Sequence, residues 1–517
     1  MTQIQILNGI YTDGTPEIRT SYPVNLVPVP KVSGISNGFL RPGDGIVANG
    51  TGPGIDRGGI EWNNVCYRVM GTKLVSVSSS GAVTVLGDVG GPVDQLVTFD
   101  YEFDFLIIAS GGRLYYWIPV NTVATLVWNP TAPILRQVTD PDLGLVLDVV
   151  WVDGYVMTTD GQFLVVTEQN NPTQIDPFKY GSSAADPDPV VALLKLRNEV
   201  YALNRHTIEV FNDVGGDFFP FARIEGAQIQ KGCIGTQACC VFVDAMAFLG
   251  GGRNEAPGIY LGVSATTTKV STQEIDNILQ QYTEDQLSMV KLESRNDKAH
   301  EHLYIHLPDQ TLVYDASASR ELQEQVWFVL ASTTTGIAQY RARNIVWCYN
   351  KWLVGDPQSN AIGYLVQSTG HHWGQQVRWE FGTLIVYNES NGAIFNKLEL
   401  VALTGSVALA AQIVDGLLKE DGFFLLQESG QYILLELAVP NSSALGNPQI
   451  STSYSLDGRS WSQDRFISVG TIGDTKKRLA WFQQGHMRNW RIQRFRGDSS
   501  AHVSFARLEA QLEALAF

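Results

Sequence analysis

The chain has 517 residues, 36 Lys/Arg against 52 Asp/Glu, a net charge of −16 and 44% hydrophobic residues. This length exceeds one ordinary core and asks for several domains or one large closed β architecture with additions. The acidic balance repels a phosphate backbone and so argues against general DNA binding, and no run of apolar residues is long enough to span a membrane.

Charged residues make up 17% of the chain, below the usual figure of about 25%. That deficit fits either a surface partly buried against partners or a β-rich surface built from Thr, Ser, Asn and Gln. The five cysteines (Cys66, Cys233, Cys239, Cys240 and Cys348) are odd in number, form no CxxC pair and match no zinc spacing. They read as buried reduced thiols. The N-terminal MTQIQILNGI has neither a basic start nor a long apolar run, so it does not read as a signal peptide.

In chain order, residues 1–50 come first. Pro23, Pro28, Pro30 and Pro42, with many glycines, predict an extended arm rather than a domain, because proline fixes φ and removes a donor.

Residues 51–370 read as β almost throughout. Short runs rich in Val, Ile, Leu, Thr and aromatics alternate with Gly, Asp and Asn turns. KLVSV–SSSG–AVTVL (73–86) and FDFLIIA–SGG–RLYYWI (103–118) each predict a hairpin. Hairpin groups begin near Trp62, Gln95, Leu147, Val191, Cys239, Ser288 and Ile337, in steps of 33, 52, 44, 48, 49 and 49 residues. That step is about the length of one four-stranded propeller blade. A single blade cannot bury both its faces, so blades stack around an axis. The expected fold is therefore all-β, a β-propeller of about seven blades. The main helical pattern is STQEIDNILQQYTEDQLSMVKLE (271–293), opening on Ser271 or Thr272 with acids following.

A second boundary falls near STGHHWGQQ (368–376). Alternating runs then return (RWEFGTLIVY, KLELVAL, YILLELAV, QISTSYSLDG and a final FARLEAQLEAL) and predict a C-terminal β-sandwich over 371–517.

Motifs for chemistry are sparse. Neither a P-loop nor a GxGxxG between strand and helix is present. His300, His302 and His306 share one face of a strand by the period of two, but no further carboxylate or thiolate is specified, so they read as a polar strand face, as does the pair His371–His372 in the linker. Ser455-Leu456-Asp457-Gly458-Arg459-Ser460-Trp461 is similar to the Asp-box turn of sialidase-type propellers, one residue short between Asp and Gly. It occurs once and reads as a hairpin turn with Trp461 packed in the core. No converging carboxylate pair or Ser-His-Asp constellation stands out. No catalytic, cofactor or metal residues are assigned.

The best candidate for a functional surface is KKRLAWFQQGHMRNWRIQRFRG (476–497). From residue 471 to the end the chain carries eight Lys/Arg and four acids, so this stretch is +4 and the remainder −20. Arg and Trp favour interfaces, where a planar guanidinium meets carboxylates or stacks on rings. Arg488, Trp490, Arg491, Arg494 and Arg496 are the expected protein-docking residues. Contact with DNA and an ordinary solvated strand face are the alternatives.

A family resemblance spans residues 20–330. The arm carries Tyr22-Pro23-Val24-Asn25-Leu26, Gly38-Phe39-Leu40-Arg41-Pro42 and Gly45-Ile46. Arg57-Gly58-Gly59-Ile60-Glu61-Trp62, Tyr67-Arg68-Val69 and Gly71-Thr72-Lys73-Leu74 follow, then Val210-Phe211 and Ile229-Gln230-Lys231-Gly232. The most telling stretches are Tyr282-Thr283-Glu284-Asp285-Gln286-Leu287, His302-Leu303-Tyr304-Ile305-His306-Leu307-Pro308 and Leu312-Val313-Tyr314-Asp315-Ala316-Ser317. In these landmarks and their order the chain resembles the tail-hub, or packaged-DNA stabilisation, proteins of short-tailed phages with a P22-like tail machine. WFQQGHMRNWRIQRF is similar to the family's terminal strand region, in less detail.

The resemblance implies a non-enzymatic virion component without a cofactor. Such hubs form a homo-oligomeric ring, expected as a hexamer, below the portal and its adaptor. They close the DNA channel after packaging with a needle or plug below, and carry tailspikes or fibres. Genomic DNA would meet the chain only by passage, and stabilisation would be a mechanical barrier with an acidic wall past which DNA slides. The competing reading is a carbohydrate-binding or carbohydrate-cleaving propeller used in receptor recognition.

Overall fold

The computed structural model describes residues 2–4, 6, 22–31, 36–120, 132–183, 185–216, 218–388, 391–406, 449–458, 460–470, 477–498 and 502–515. The run YILLELAV lies outside the described residues. The chain divides into two compact units. One comprises Val47–Ser332 and Ile337–Leu365; the other takes the segments up to Ile46, Thr333–Gly336 and the chain from Val366 onward.

The first unit is a propeller of seven antiparallel sheets. Blades one to six run in sequence order, over Asp56–Asp88, Thr98–Gln137, Asp148–Ser182, Val190–Arg223, Gly232–Lys269 and Lys291–Leu330. The seventh holds Arg343–Cys348, Lys351–Gly355 and Ala361–Val366, and takes its outer strand from Gly45–Thr51, far earlier in the chain. The last blade is thus completed by the segment that precedes the first, which closes the ring without leaving a long open edge. Tight turns set the hairpins. Gly111–Gly112 (φ +58° and +76°) and Asp153–Gly154 (φ +48° and +90°) place both central residues at positive φ, as the two-residue turn matching strand twist requires. Ser110 pairs Arg113 and Val152 pairs Tyr155 across these turns.

Between blades, apolar faces interlock. Val69, Leu74, Leu106, Ile108 and Trp117 form one such layer between the first and second sheets. Met157, Val166, Leu193 and Phe211 form another between the third and fourth.

The helical pattern over 271–293 resolves into two short helices, Gln273–Leu279 and Glu284–Ser288, followed by the strand Lys291–Asp297. Thr272 caps the first by accepting from the Ile275 amide. Thr283 and Gln286 form a reciprocal capping box that starts the second, so the chain turns where one long helix was expected. A third helix, Ala316–Leu322, went unread in the sequence; Asp315 caps it.

The second unit is a sandwich of two sheets. One contains Leu26–Pro30, Gly38–Pro42, His502–Ala514, Ala393–Ser406 and Leu479–Phe482, with Thr2–Ile4 and His486–Met487 paired at its sides. Within the Pro-rich N-terminal part, the described strands Leu26–Pro30 and Gly38–Pro42 pair with each other from Leu26↔Pro42 to Pro30↔Gly38. The other sheet contains Arg378–Gly382, Trp490–Asp498, Gln449–Ser455 and Arg465–Ser468, with Val386–Tyr387 at its side. The chain's last segment is a strand, tied down by pairing along Ala393–Ser406. Aromatic rings join the two layers: Phe381 lies 5.1 Å from Phe495 in its own sheet and 4.7 Å from Phe505 in the facing one. Among the described residues, no helix is long and apolar enough to cross a membrane.

Candidate functional site

The cationic segment forms the strand Trp490–Asp498, flanked by Arg378–Gly382 and Gln449–Ser455. Its alternation decides the fate of each arginine. Gln493 and Phe495 point into the sandwich, and Arg491 shares their parity. Arg491 is 0% exposed. Its guanidinium carbon stands 3.8 Å from the Tyr454 ring centroid and 4.1 Å from that of Phe395. Its Nη1 donates to the Gln484 carbonyl (2.6 Å), and Nη2 and Nε donate to Gln493 Oε1 (2.7 and 3.2 Å). Burial draws its basicity down to about 9. Arg491 is therefore a core residue and has to be removed from the docking set: the parity of the strand turns it inward, where ring faces and amide oxygens replace water around the charge.

The other parity faces out. Trp490 and Ile492 pack with Ile385 and Trp461 in a small apolar cluster. Arg494 lies over Trp461 (3.8 Å to the ring centroid) and donates to Ser453 Oγ at 3.3 Å. Burial first, and the charges of Arg496 and Arg378 second, bring Arg494 down to about 10. Arg496 pairs with Asp464, and Arg378 with Glu380. Arg488 is exposed beside the strand. The face thus presents Arg488, Trp490, Arg494 and Arg496 in graded exposure, with carboxylates balancing part of the charge.

Ser455, Asp457, Gly458 and Ser460 are joined in a hydrogen-bonded turn. Gly458 sits at φ +73° and donates its amide to Ser455 Oγ (2.8 Å), and Asp457 Oδ1 accepts from the Ser460 amide (2.8 Å). Trp461 is half-buried on the outer face under Arg494, outside the main core between the sheets.

In the propeller, residues that sequence reasoning passed over staple neighbouring blades. Asp100 Oδ2 of blade two accepts the Trp151 amide of blade three (2.6 Å). Asp148 Oδ2 of blade three accepts the Leu193 amide of blade four (2.8 Å). Glu293 Oε2 of blade six accepts the Asn344 amide of blade seven (3.1 Å). Each acid sits on the first strand of its blade and ties it to the next. A buried ion pair within blade one, Arg68 Nη1 donating to Asp56 Oδ2 (2.8 Å), is tied to blade seven through Asn344, whose carbonyl accepts from Arg68 Nη2 (3.0 Å). The available signal was one acid inside an otherwise apolar run, as in FDY, LDV and LES.

The first strands also line two cavities of about 630 and 320 Å³ that share Thr98, Thr236 and Gln237. Acids (Asp94, Asp100, Asp148) and bases (Lys195, Lys291, Arg343) are both present on their walls.

The histidines separate. His306 Nε2 lies 3.1 Å from Glu293 Oε2, whereas His300 Nδ1 lies 2.6 Å from Asp315 Oδ2. All five cysteines are free thiols, four of them buried and Cys240 partly so.

Comparison with known proteins places this architecture. The profile described as bacteriophage P22 Gp10, β-propeller, matches residues 2–370, and that described as P22 Gp10, β-sandwich, matches residues 423–513. The chain belongs to the P22 Gp10 family. The tail hub protein gp10 of Salmonella phage P22 is 28% identical over 424 residues, covering 80% of this chain and 86% of that protein. The WD40 domain of Neurospora crassa Pan2 (9% identity, 62% of this chain, 95% of that one) and virginiamycin B lyase of Staphylococcus aureus (10%, 60% and 94%) align with TM-scores of 0.37 and 0.36. Those scores are too low to bear on fold or activity. The Gp10 family's named propeller and sandwich correspond to the two kinds of sheet assembly described above.

Proposed function

We propose that the chain is a structural, non-enzymatic tail-hub protein of a short-tailed phage virion. The observation that carries this reading is the Gp10 match running through the propeller, together with a relative named as a tail hub that aligns over most of both chains. In this reading, copies of the chain fold in the host cytoplasm and form a ring, a hexamer, that docks below the portal and adaptor. The ring helps to close the DNA channel after packaging and carries the needle and the tailspikes or fibres. The net charge of −16 supports passage of DNA without adhesion. No comparison favours the carbohydrate-directed alternative.

Arg488, Trp490, Arg494 and Arg496 are proposed as a docking face for an acidic protein surface, with Arg491 as its internal support. Light scattering tests the assembly: the purified chain is measured alone and mixed with the phage's portal–adaptor assembly. A defined multi-copy complex is expected. A chain that stays apart from the connector overturns the reading. With complex formation in hand, the double charge reversal Arg488→Glu and Arg496→Glu is expected to weaken it and to reduce its salt dependence; unchanged binding removes this face from the interface.

A further inference from the structure

His300 and His302 lie two residues apart on the strand His300–His306, so both side chains leave the same face. Asp315 ends the neighbouring strand Thr311–Asp315 and stands directly opposite His302 in the register. The carboxylate that the sequence did not specify is therefore supplied across the ladder. One ring nitrogen of each histidine and a carboxylate oxygen of Asp315 all lie within 4.8 Å of one another.

We propose that His300, His302 and Asp315 form a divalent-metal site in the sixth blade, with a donor set and size suited to Zn²⁺. Two imidazoles and one carboxylate are a familiar three-ligand set for a first-row metal, leaving one position for water.

Three observations support it. First, the carboxylate is held ready. Asp315 Oδ1 accepts the Ala318 amide (3.0 Å) at the start of the helix Ala316–Leu322, which leaves Oδ2 to the histidines. Such outer contacts orient a metal ligand. Second, His302 is buried, and among the described residues its Nδ1 has no hydrogen-bond partner while its Nε2 has only the 3.3 Å contact with Asp315, which is not aligned as a hydrogen bond. A buried polar atom without a good partner costs stability, and a cation bound at Nε2 would replace that poorly aligned contact with a coordinate bond. Third, the spacing fits. His302 Nε2 lies 3.3 Å from Asp315 Oδ2, close to the separation of about 3.3 Å between two ligands of tetrahedral zinc. His300 Nδ1 lies 2.6 Å from the same oxygen. That is a charge-assisted hydrogen bond, and replacing its proton by a metal would part the atoms by about 0.7 Å.

The surroundings suit such a site. Phe328 and Tyr304 meet the His302 ring edge-to-face at 5.3 and 6.1 Å and fix its orientation. The nearby cation Arg295 is occupied by Asp297 (2.6 Å) and Tyr304 (3.3 Å). His300 keeps 12% of its side chain exposed, which gives an ion a path inward.

The test uses the full chain, stripped with a chelator and dialysed. Co²⁺ serves as the spectroscopic probe, and Zn²⁺ displacement is followed by calorimetry. One Co²⁺ per chain with the visible bands of low coordination is expected, displaced by Zn²⁺, with a higher Tm when Zn²⁺ is present. His300→Gln and His302→Gln are each expected to lower affinity by at least about 10-fold, since loss of even an outer partner costs that much. The exposed His486→Gln is expected to change nothing. Because Asp315 also caps a helix, the two histidine variants carry the test, with circular dichroism confirming that they fold. A folded wild-type chain that binds no Co²⁺ overturns the proposal. So does equal binding by the doubly substituted chain, which would place the ion elsewhere.

Discussion

The guanidinium of Arg491 stacks on Tyr454 at 3.8 Å, inside a sandwich whose other central contacts are aromatic and aliphatic. A cation held this way is costly to replace, because lysine offers a compact, strongly hydrated charge in place of a flat fork. Arg491→Lys and Arg491→Ala are both expected to destabilise the protein by about 2–4 kcal/mol, through lost stacking, the loss of the donors to Gln493 Oε1 and a cavity. Arg488→Glu, on the exposed side, is expected to stay within about 0.5 kcal/mol. Chemical denaturation of the three variants checks the ranking. Equal stability of all three would mean that Arg491 does not support the core.

The same strand shows what sequence can and cannot convey. Turn chemistry made the hairpins legible, because Gly111–Gly112 can hardly serve another purpose between two apolar runs. The blade rhythm followed from the spacing of those hairpins. The inward face of Arg491 was not legible: a segment dense in Arg and Trp reads as surface, and only the parity shared with Phe495 sets it apart. The inter-blade acids were hidden for a different reason. Asp148 finds its partner 45 residues later, at a backbone amide that leaves no mark on the sequence. The third member of the His300–His302 group was hidden likewise, since Asp315 reaches it by strand pairing.

Asp148 leads to a prediction about pH. It is buried, and desolvation pushes its carboxyl up to about 7 even though the Leu193 and Val149 amides favour the ionised form. In the unfolded chain the group titrates near 3.8. Between these values the native state holds the extra proton, so this group's contribution to stability falls as pH rises from about 4 to about 7 and stays low above that. Asp148→Asn imitates the protonated side chain. The variant and the wild type are expected to match at the acid end, with the variant becoming the more stable as pH rises. Thermal unfolding across that range reads the difference. A gap that does not change with pH would show that Asp148 is not a titrating liability.

The capping box at Thr283 offers a local test. Its hydroxyl accepts the Gln286 amide (3.3 Å), while Gln286 Oε1 accepts the Thr283 amide (3.0 Å). Thr283→Ala removes one of these bonds at the start of a five-residue helix. The expected cost is about 1 kcal/mol. Faster hydrogen exchange at Gln286 than in wild type, with blade-core amides unchanged, would locate the loss. Uniform loss of protection would instead tie this turn to global unfolding.

Closure of the propeller rests on Asp56 and Arg68. Both are almost fully buried, and Asn344 of blade seven binds the same carboxylate oxygen (2.7 Å) that Arg68 engages. The pair lies inside blade one but carries the Asn344 contacts to blade seven, so its loss would weaken both the first sheet and the junction that closes the ring. Removing one partner strands a buried charge, which commonly costs about 3–5 kcal/mol. Asp56→Ala is therefore expected to be severely destabilising. Asp56→Ala combined with Arg68→Met should recover part of the loss, because no unpaired charge then remains. Gly355→Ala perturbs the same junction without removing a charge, since a Cβ there would come 2.1 Å from Asp56 Oδ2 and push the carboxylate aside. Equilibrium unfolding of the wild type, the single variants Asp56→Ala and Arg68→Met and the double variant gives the coupling directly, with Gly355→Ala measured alongside. Additive losses in the double variant would mean that the ion pair does not act as a unit, and that backbone pairing of the Gly45–Thr51 strand holds the ring closed on its own.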